Sequence, residues 1–447
     1  MFRILSALAL VNAAMAGHAQ TVGQTQTSGQ IQPFTYGIDL GMGETDNVTL
    51  AHSNPQSQTL AIADADFALK DRTRTLDLAA TGNFSYLDFV QGAYSPELIG
   101  RFDGSGKASL VPDVLSWTVE DNFGQAQIDP FTPQTPTNRE NINYFTTGPN
   151  LDLRFGSEGF ADFSARYARS SYQISPFNSN RFDATAAFGE RLSGQSSVSL
   201  HVTSERALFA NTILNSDLTR SSVFADYSMN GARTEASINV GVTHTVQGAF
   251  SENGPLVRID LSRQVSPSAK VSLEAGRIVT DGSTGFSALQ AGASGSIATA
   301  NASFAQSTQN YTASYGQLAY TFIRERTTFR VSALWERDAY PLLSQLNVIR
   351  GDGEVYVERK LTPNFTARLN AVYLRNEYPQ TNYTDNDILG GAVLSYQPGR
   401  ALEFKLRFEH WSHEVSGFNT GTGYGENRVF LTVGFRPRHP SARGSKE

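Results

Sequence analysis

The 447-residue chain has no cysteine, and only 17% of its residues are charged. Without thiols it has no disulfide staple, thiolate metal site, cysteine nucleophile or lipid-bearing cysteine, although an oxidising compartment stays open to it. Lys and Arg number 36 against 42 Asp and Glu, a net charge of -6, and the cations are scattered. A nucleic-acid partner needs a clustered basic footprint, so none is expected. Beyond residue 19 no apolar run approaches the roughly 20 residues of a spanning helix. Long helix-period blocks and interdomain linkers are missing too, which argues against a soluble multidomain enzyme.

What is present begins with Arg3, an apolar run over residues 4–14 broken only by Ser6 and Asn12, and small residues at Ala14-Met15-Ala16 and Gly17-His18-Ala19. This predicts a secretory signal peptide over residues 1–19, cut after Ala19, with Ala16 as the alternative. Residues 20–33 form a polar linker of low complexity. An exported chain without a spanning helix is either free in the periplasm or a membrane-spanning β-barrel.

From Phe34 onward the pattern favours the barrel. Leu402, Phe404, Leu406 and Phe408 alternate with Glu403, Lys405, Arg407 and Glu409. Val257, Ile259 and Leu261 alternate likewise with Arg258, Asp260 and Ser262, and Phe329, Val331, Ala333 and Trp335 with Arg330, Ser332 and Glu336. Strict alternation places one set on lipid and the other on water. Nine short turns, from Lys70-Asp71-Arg72 and Val111-Pro112-Asp113 to Leu361-Thr362-Pro363 and Pro398-Gly399-Arg400, separate longer polar connections such as 127–138, 208–217, 281–306, 377–387 and 413–425.

Short turns at one end and long loops at the other predict an all-β fold. It is a transmembrane antiparallel up-and-down β-barrel of about twenty strands, eighteen being the alternative, over residues 34–435 in a Gram-negative outer membrane. Its partner on the outside is outer-membrane lipid. Phe155, Phe160, Phe188, Phe322, Phe329, Phe365, Tyr396 and Phe404 flank the short turns and form the expected periplasmic girdle. The last strand ends at Phe435, and residues 436–447 form a polar periplasmic tail.

A barrel this wide keeps a lumen that side chains do not fill. Alternation assigns Arg258, Asp260, Arg330, Glu336, Glu354, Tyr356, Glu358, Arg368, Glu403, Lys405, Arg407, Glu409 and Trp411 inward, along with Phe224 and the Asp64/Asp66 pair. Neither sign dominates, so strong ion selectivity is not expected. Lys70, Lys107, Lys270, Lys360, Lys405 and Lys446 are the only lysines, so 30 of the 36 cations are Arg. Guanidinium forks bridge carboxylates across strands and also hold ligand hydroxyls or uronates.

No catalytic constellation, cofactor motif or metal spacing is found, and no enzyme activity is expected. The seven His are dispersed, there is no His-Glu-x-x-His or Gly-x-Ser-x-Gly, and His410 and His413 point to opposite faces. Residues 292–296, Gly/Ser-rich, lie in the longest loop, which either enters the lumen or covers the rim. Asp385-Asn386-Asp387 reads as a solvated loop tip rather than a cation site.

Three short motifs carry a resemblance: Glu44-Thr45-Asp46-Asn47-Val48-Thr49-Leu50, Leu110-Val111-Pro112-Asp113-Val114-Leu115, and Asn138-Arg139-Glu140-Asn141-Ile142-Asn143-Tyr144-Phe145 running on through Gly148-Pro149 to Leu153-Arg154-Phe155-Gly156. They resemble the outer-membrane β-barrel porins encoded with exopolysaccharide biosynthesis and exosortase operons. That resemblance implies export of an extracellular polysaccharide through the lumen, beside a periplasmic co-polymerase or export protein. Two alternatives stand beside it: a general or sugar-selective diffusion porin and, less favoured, an outer-membrane hydrolase or acyltransferase. A TonB-dependent receptor is disfavoured, because the linker before the first strand is too short for a plug.

Overall fold

The computed structural model describes residues 34–212, 215–286, 309–399, 401–417 and 423–437. The expected signal peptide, the linker up to residue 33, residues 292–296 and the tail beyond residue 437 lie outside these described residues.

Twenty antiparallel strands follow in chain order. They are β1 (Phe34–Thr45), β2 (Gln58–Arg72), β3 (Leu76–Phe89), β4 (Glu97–Val111), β5 (Leu115–Gln127), β6 (Arg139–Phe155), β7 (Gly159–Tyr172), β8 (Ser179–Ser193), β9 (Ser196–Phe209) and β10 (Leu218–Asn230). The second half comprises β11 (Thr234–Gln247), β12 (Phe250–Ser266), β13 (Ala269–Asp281), β14 (Asn310–Arg324), β15 (Thr327–Ala339), β16 (Val348–Lys360), β17 (Phe365–Tyr378), β18 (Tyr383–Tyr396), β19 (Leu402–Gly417) and β20 (Tyr424–Phe435). Each pairs with the next, and β20 pairs with β1, so no edge is left open. That closure lets the backbone exist in hydrocarbon, where an unpaired N–H or C=O costs several kcal/mol.

All nine expected short turns lie at one end, at or within a few residues of their expected positions, and join β2 to β3, β4 to β5 and so on to β18 and β19. By the loop asymmetry of such barrels this end is periplasmic. The long loops fit less uniformly. Residues 248 and 249 alone join β11 to β12, with Gly248 at φ 61° supplying the left-handed turn. The expected loop over 377–387 shrinks to residues 379–382, and the one over 413–425 to 418–423, because strands β17 to β19 run on past the apolar band.

Closure rests on the shortest ladder in the wall. β1 and β20 share eight register pairs, against twelve for β1 and β2. Side chains reinforce this seam from inside: Lys405 Nζ lies 2.7 Å from Asp39 Oδ2. Arg436, one residue past the terminal aromatic, turns back to grip three carboxylates, with its Nη2 2.8 Å from Asp39, its Nη1 2.9 Å from Asp66 and its Nε 2.7 Å from Glu403. The first residue of the expected tail is therefore part of the wall. Arg436→Ala should lower the stability of the closed barrel by about 1.5–3 kcal/mol, the range for hydrogen bonds to charged groups. It is read as an earlier loss of the compact band on unboiled gels, and an unshifted transition would leave the seam to the backbone alone.

Candidate functional site

Exposure separates the two faces without ambiguity. Leu402 and Leu406 are 43% and 50% exposed, with no second sheet over them, and Leu40 is 60% exposed while its neighbour Asp39 is 1%. Between the two rims, outward positions carry the apolar set and inward positions the charges, the arrangement that hydrocarbon outside and water inside demand. The chain is an outer-membrane β-barrel.

Phe155, Phe188, Phe365, Tyr396 and Phe404 stand exposed on the outer face near the periplasmic turns, as a girdle requires. Phe160 is a correction. It shares the face of Arg166 on β7 with no bulge between them, so its ring points inward, under the Arg154 guanidinium at 5.5 Å.

The inward candidates sort by height. Nearest the periplasm, Glu403, Lys405, Arg407 and Glu409 follow one another up β19 and meet Asp39, Asp64 and Asp66 from β1 and β2. Arg407 lies 3.2 Å from Glu409 and 4.3 Å from the Phe430 ring centre, while Asp64 takes a hydrogen bond from Ser85. Also close to the periplasmic turns, on β16 and β17, Arg368 Nε is 2.7 Å from Glu358, which also accepts from the Tyr356 hydroxyl at 3.0 Å. Arg330 and Glu354 are buried beside them. Arg258 and Asp260 face inward from β12, opposite Asn239 and Ser237. Phe224 is inward too, stacked on His201 at 4.8 Å. Most of these cations are engaged with carboxylates, so the wall is a ladder of paired charge.

The extracellular mouth is crossed by two straps that the alternation does not announce. Residues 128–138, between β5 and β6, are knotted around Asn138, which donates to the carbonyls of Asp129 and Thr132 and accepts from the Asp129 N–H at 2.8 Å. This strap reaches the far wall, where the Phe131 ring packs edge-on against Tyr378 and Tyr383 at 4.8 and 5.2 Å. Beneath it a cavity of about 60 Å³ is lined by Arg350, Asn376, Asp385, Asp387, Trp411, His413 and Tyr424.

Here Asp387 accepts from Trp411 Nε1 at 2.7 Å and contacts His413 Nδ1 at 2.8 Å, Asp385 accepts from Asn376, and Arg350 bridges to Glu336 at 2.9 Å. Tyr424 stands edge-on to Trp411 and stacks on His413. Asp385 and Asp387 are thus not a loop tip. They lie on the inner face of β18, and Asp385 is buried. His410 points outward to Asn427, away from His413.

The second strap is the top of β13. Asp281, 0% exposed, forks to Arg181 at 2.7 and 3.0 Å across the mouth. Arg181 also bonds Glu205 at 2.7 Å, and Glu205 in turn holds Arg220. Ser283 bonds the Tyr172 hydroxyl at 2.9 Å, and Phe286 packs with Ala126, Ile142 and Tyr172. The described start of the longest loop therefore enters the mouth. Sequence reasoning passed over Arg181, although alternation along β8 puts it on the inner face, two residues from Asp183.

No family model and no curated protein matches this chain. Among solved structures, the FrpB iron transporter of Neisseria meningitidis (F3-3 variant) superposes over 91% of this chain and 82% of its own at 10% identity, with a TM-score of 0.43. The siderophore receptor PirA of Pseudomonas aeruginosa does so over 91% and 80% at 10% identity and 0.43. A mutant of the ferric enterobactin receptor PfeA from the same organism covers 90% and 80% at 9% identity and 0.42.

Proposed function

We propose that the barrel is an outer-membrane conduit for an extracellular polysaccharide, receiving its chain from a periplasmic export partner. The observation that carries this reading is the mouth cavity, where Trp411, Tyr424 and His413 lie beside Asp385, Asp387, Asn376 and Arg350. Ring faces suit the C–H faces of sugars, and carboxylates, amides and guanidinium bind their hydroxyls. Below it the paired Arg/Glu wall offers weak, repeated polar contacts of both signs. A moving polymer needs contacts of that kind, since tight binding would stall it.

The motif resemblance of the first third of the chain points the same way. A wall without a dominant sign also favours the second reading, a sugar-selective or general diffusion porin.

The test is a deletion strain. It should lose extracellular polymer and recover it with the wild-type gene, whereas Arg368→Ala should fold and insert but change polymer output and bilayer conductance. Arg368 is the residue of choice because it faces the bore near its periplasmic entrance and its side chain is 38% exposed. Undiminished polymer from the deletion strain, together with rapid non-selective solute flux through purified protein, would transfer the assignment to the porin.

A further inference from the structure

The β12–β13 ladder stops early. Its last pair is Val257 with Arg277, while β11–β12 continues up to Gln247 with Phe250 and β13–β14 to Asp281 with Asn310. Two residues beyond that last pair Pro255, which has no N–H to give, stands where Val279 would face it, and the Val279 carbonyl accepts from Arg220 instead. As β13 leans over the mouth, a cleft opens in the outer face, a cavity of about 430 Å³ lined by Arg277, Thr312, Ser314, Arg337, Asn347 and Glu252, among others.

Arg277, Ser314 and Arg337 form one register row across β13, β14 and β15, immediately above the exposed ring of Trp335, which pairs with Gly316. Two strand spacings put the arginine backbones about 10 Å apart, with the serine hydroxyl between them. Both guanidinium side chains are exposed. Neither makes an ion pair with a described carboxylate, and residues 287–308 contain no Asp or Glu. The one acid at the cleft, Glu252, shares the face of Arg258 and Asp260 on β12 and so points to the lumen side, away from the two guanidinium groups.

We propose that this cleft binds the phosphorylated sugar headgroup of an outer-leaflet glycolipid. The height fits, because an outward tryptophan marks the boundary between acyl chains and headgroups, and the row lies just beyond it toward the extracellular loops. The chemistry fits as well. Two forked cations with a hydroxyl between them grip a phosphate, and the exposed apolar wall below, Trp335, Leu318 and Val331, takes the acyl chains that a bare phosphate lacks. The site is independent of what passes through the lumen.

The experiment measures binding of diphosphoryl lipid A to the purified barrel in neutral detergent micelles. Parallel arms use dephosphorylated lipid A and inorganic phosphate. Arg277→Gln/Arg337→Gln should weaken diphosphoryl lipid A by about 10- to 30-fold, the loss expected for two headgroup cations. Dephosphorylated lipid should bind the wild type as weakly as the intact lipid binds the variant, and inorganic phosphate should not compete at equal phosphate concentration.

Arg359→Gln, an exposed cation at the periplasmic end of β16, should bind as wild type does. The unboiled-gel shift reports that each variant is folded. Equal affinity of wild type and the double variant, equal loss in Arg359→Gln, or displacement by inorganic phosphate would each overturn the assignment.

Discussion

Asp281→Ala should open the extracellular mouth, raising single-channel conductance and costing about 3–5 kcal/mol of stability, the scale for breaking a buried ion pair from one side. In the folded barrel Arg181 and Arg220 balance Glu205 and Asp281, and Asp281 and the Arg181 side chain are at most 1% exposed. Removing the Asp281 carboxylate leaves two guanidinium groups sharing Glu205, and the surplus positive charge is relieved only by admitting water or displacing the strap. Once the fork to Arg181 is gone, residues 282–286 are held by the Tyr172–Ser283 bond and the packing of Phe286.

Arg181→Ala with Asp281→Ala restores neutrality, because Arg220 and Glu205 remain paired. The double variant should therefore be more stable than Asp281→Ala while keeping the raised conductance. If conductance stays at the wild-type value in both, the strap does not set the width of the mouth.

Gly41→Val should abolish assembly. A Cβ at position 41 would come within 2.8 Å of the Thr432 Cα and would run into the backbone carbonyl of Leu431, neither of which can rotate away. Residue 41 lies in the middle of the eight-pair seam, so the strain falls on the ladder that closes the ring. A ring that does not close exposes two edges to hydrocarbon, which no local repacking repairs.

The expected result is loss of the heat-modifiable form and degradation of the chain. Gly353→Val is the control, since a Cβ there meets nothing within 4 Å and faces lipid on β16. A normally folded Gly41→Val barrel would show that the seam tolerates a separation the backbone geometry forbids.

Much of this architecture can be read from residue order. The nine short turns give eighteen strands, because each marks one hairpin at the same end, and the end strands β1 and β20 make twenty. The face of nearly every wall residue follows from parity, including Arg368, Glu358, Tyr356 and the charged run from Glu403 to Glu409. Phe160 shows the same rule misapplied, since the parity that puts Arg166 inward puts Phe160 there too. The loop boundaries were less readable. Asp385 and Asp387 look like solvated tip residues in a polar stretch, and only their partners Asn376, Trp411 and His413, held on β17 and β19, make them wall residues above the apolar band.

Alternation relates a residue to its immediate neighbours, and it therefore determined the strands, their two faces, the need for closure and the membrane the cylinder occupies. It carries no information about what meets across the ring. Arg181 and Asp281 are 100 positions apart, and Phe131 lands on Tyr378 and Tyr383 only because the wall's tilt and curvature bring that height of β17 and β18 opposite the β5–β6 connection. Only the folded ring decided the two straps, the mouth cavity and the cleft beside Pro255, since each depends on distances set by the whole circumference.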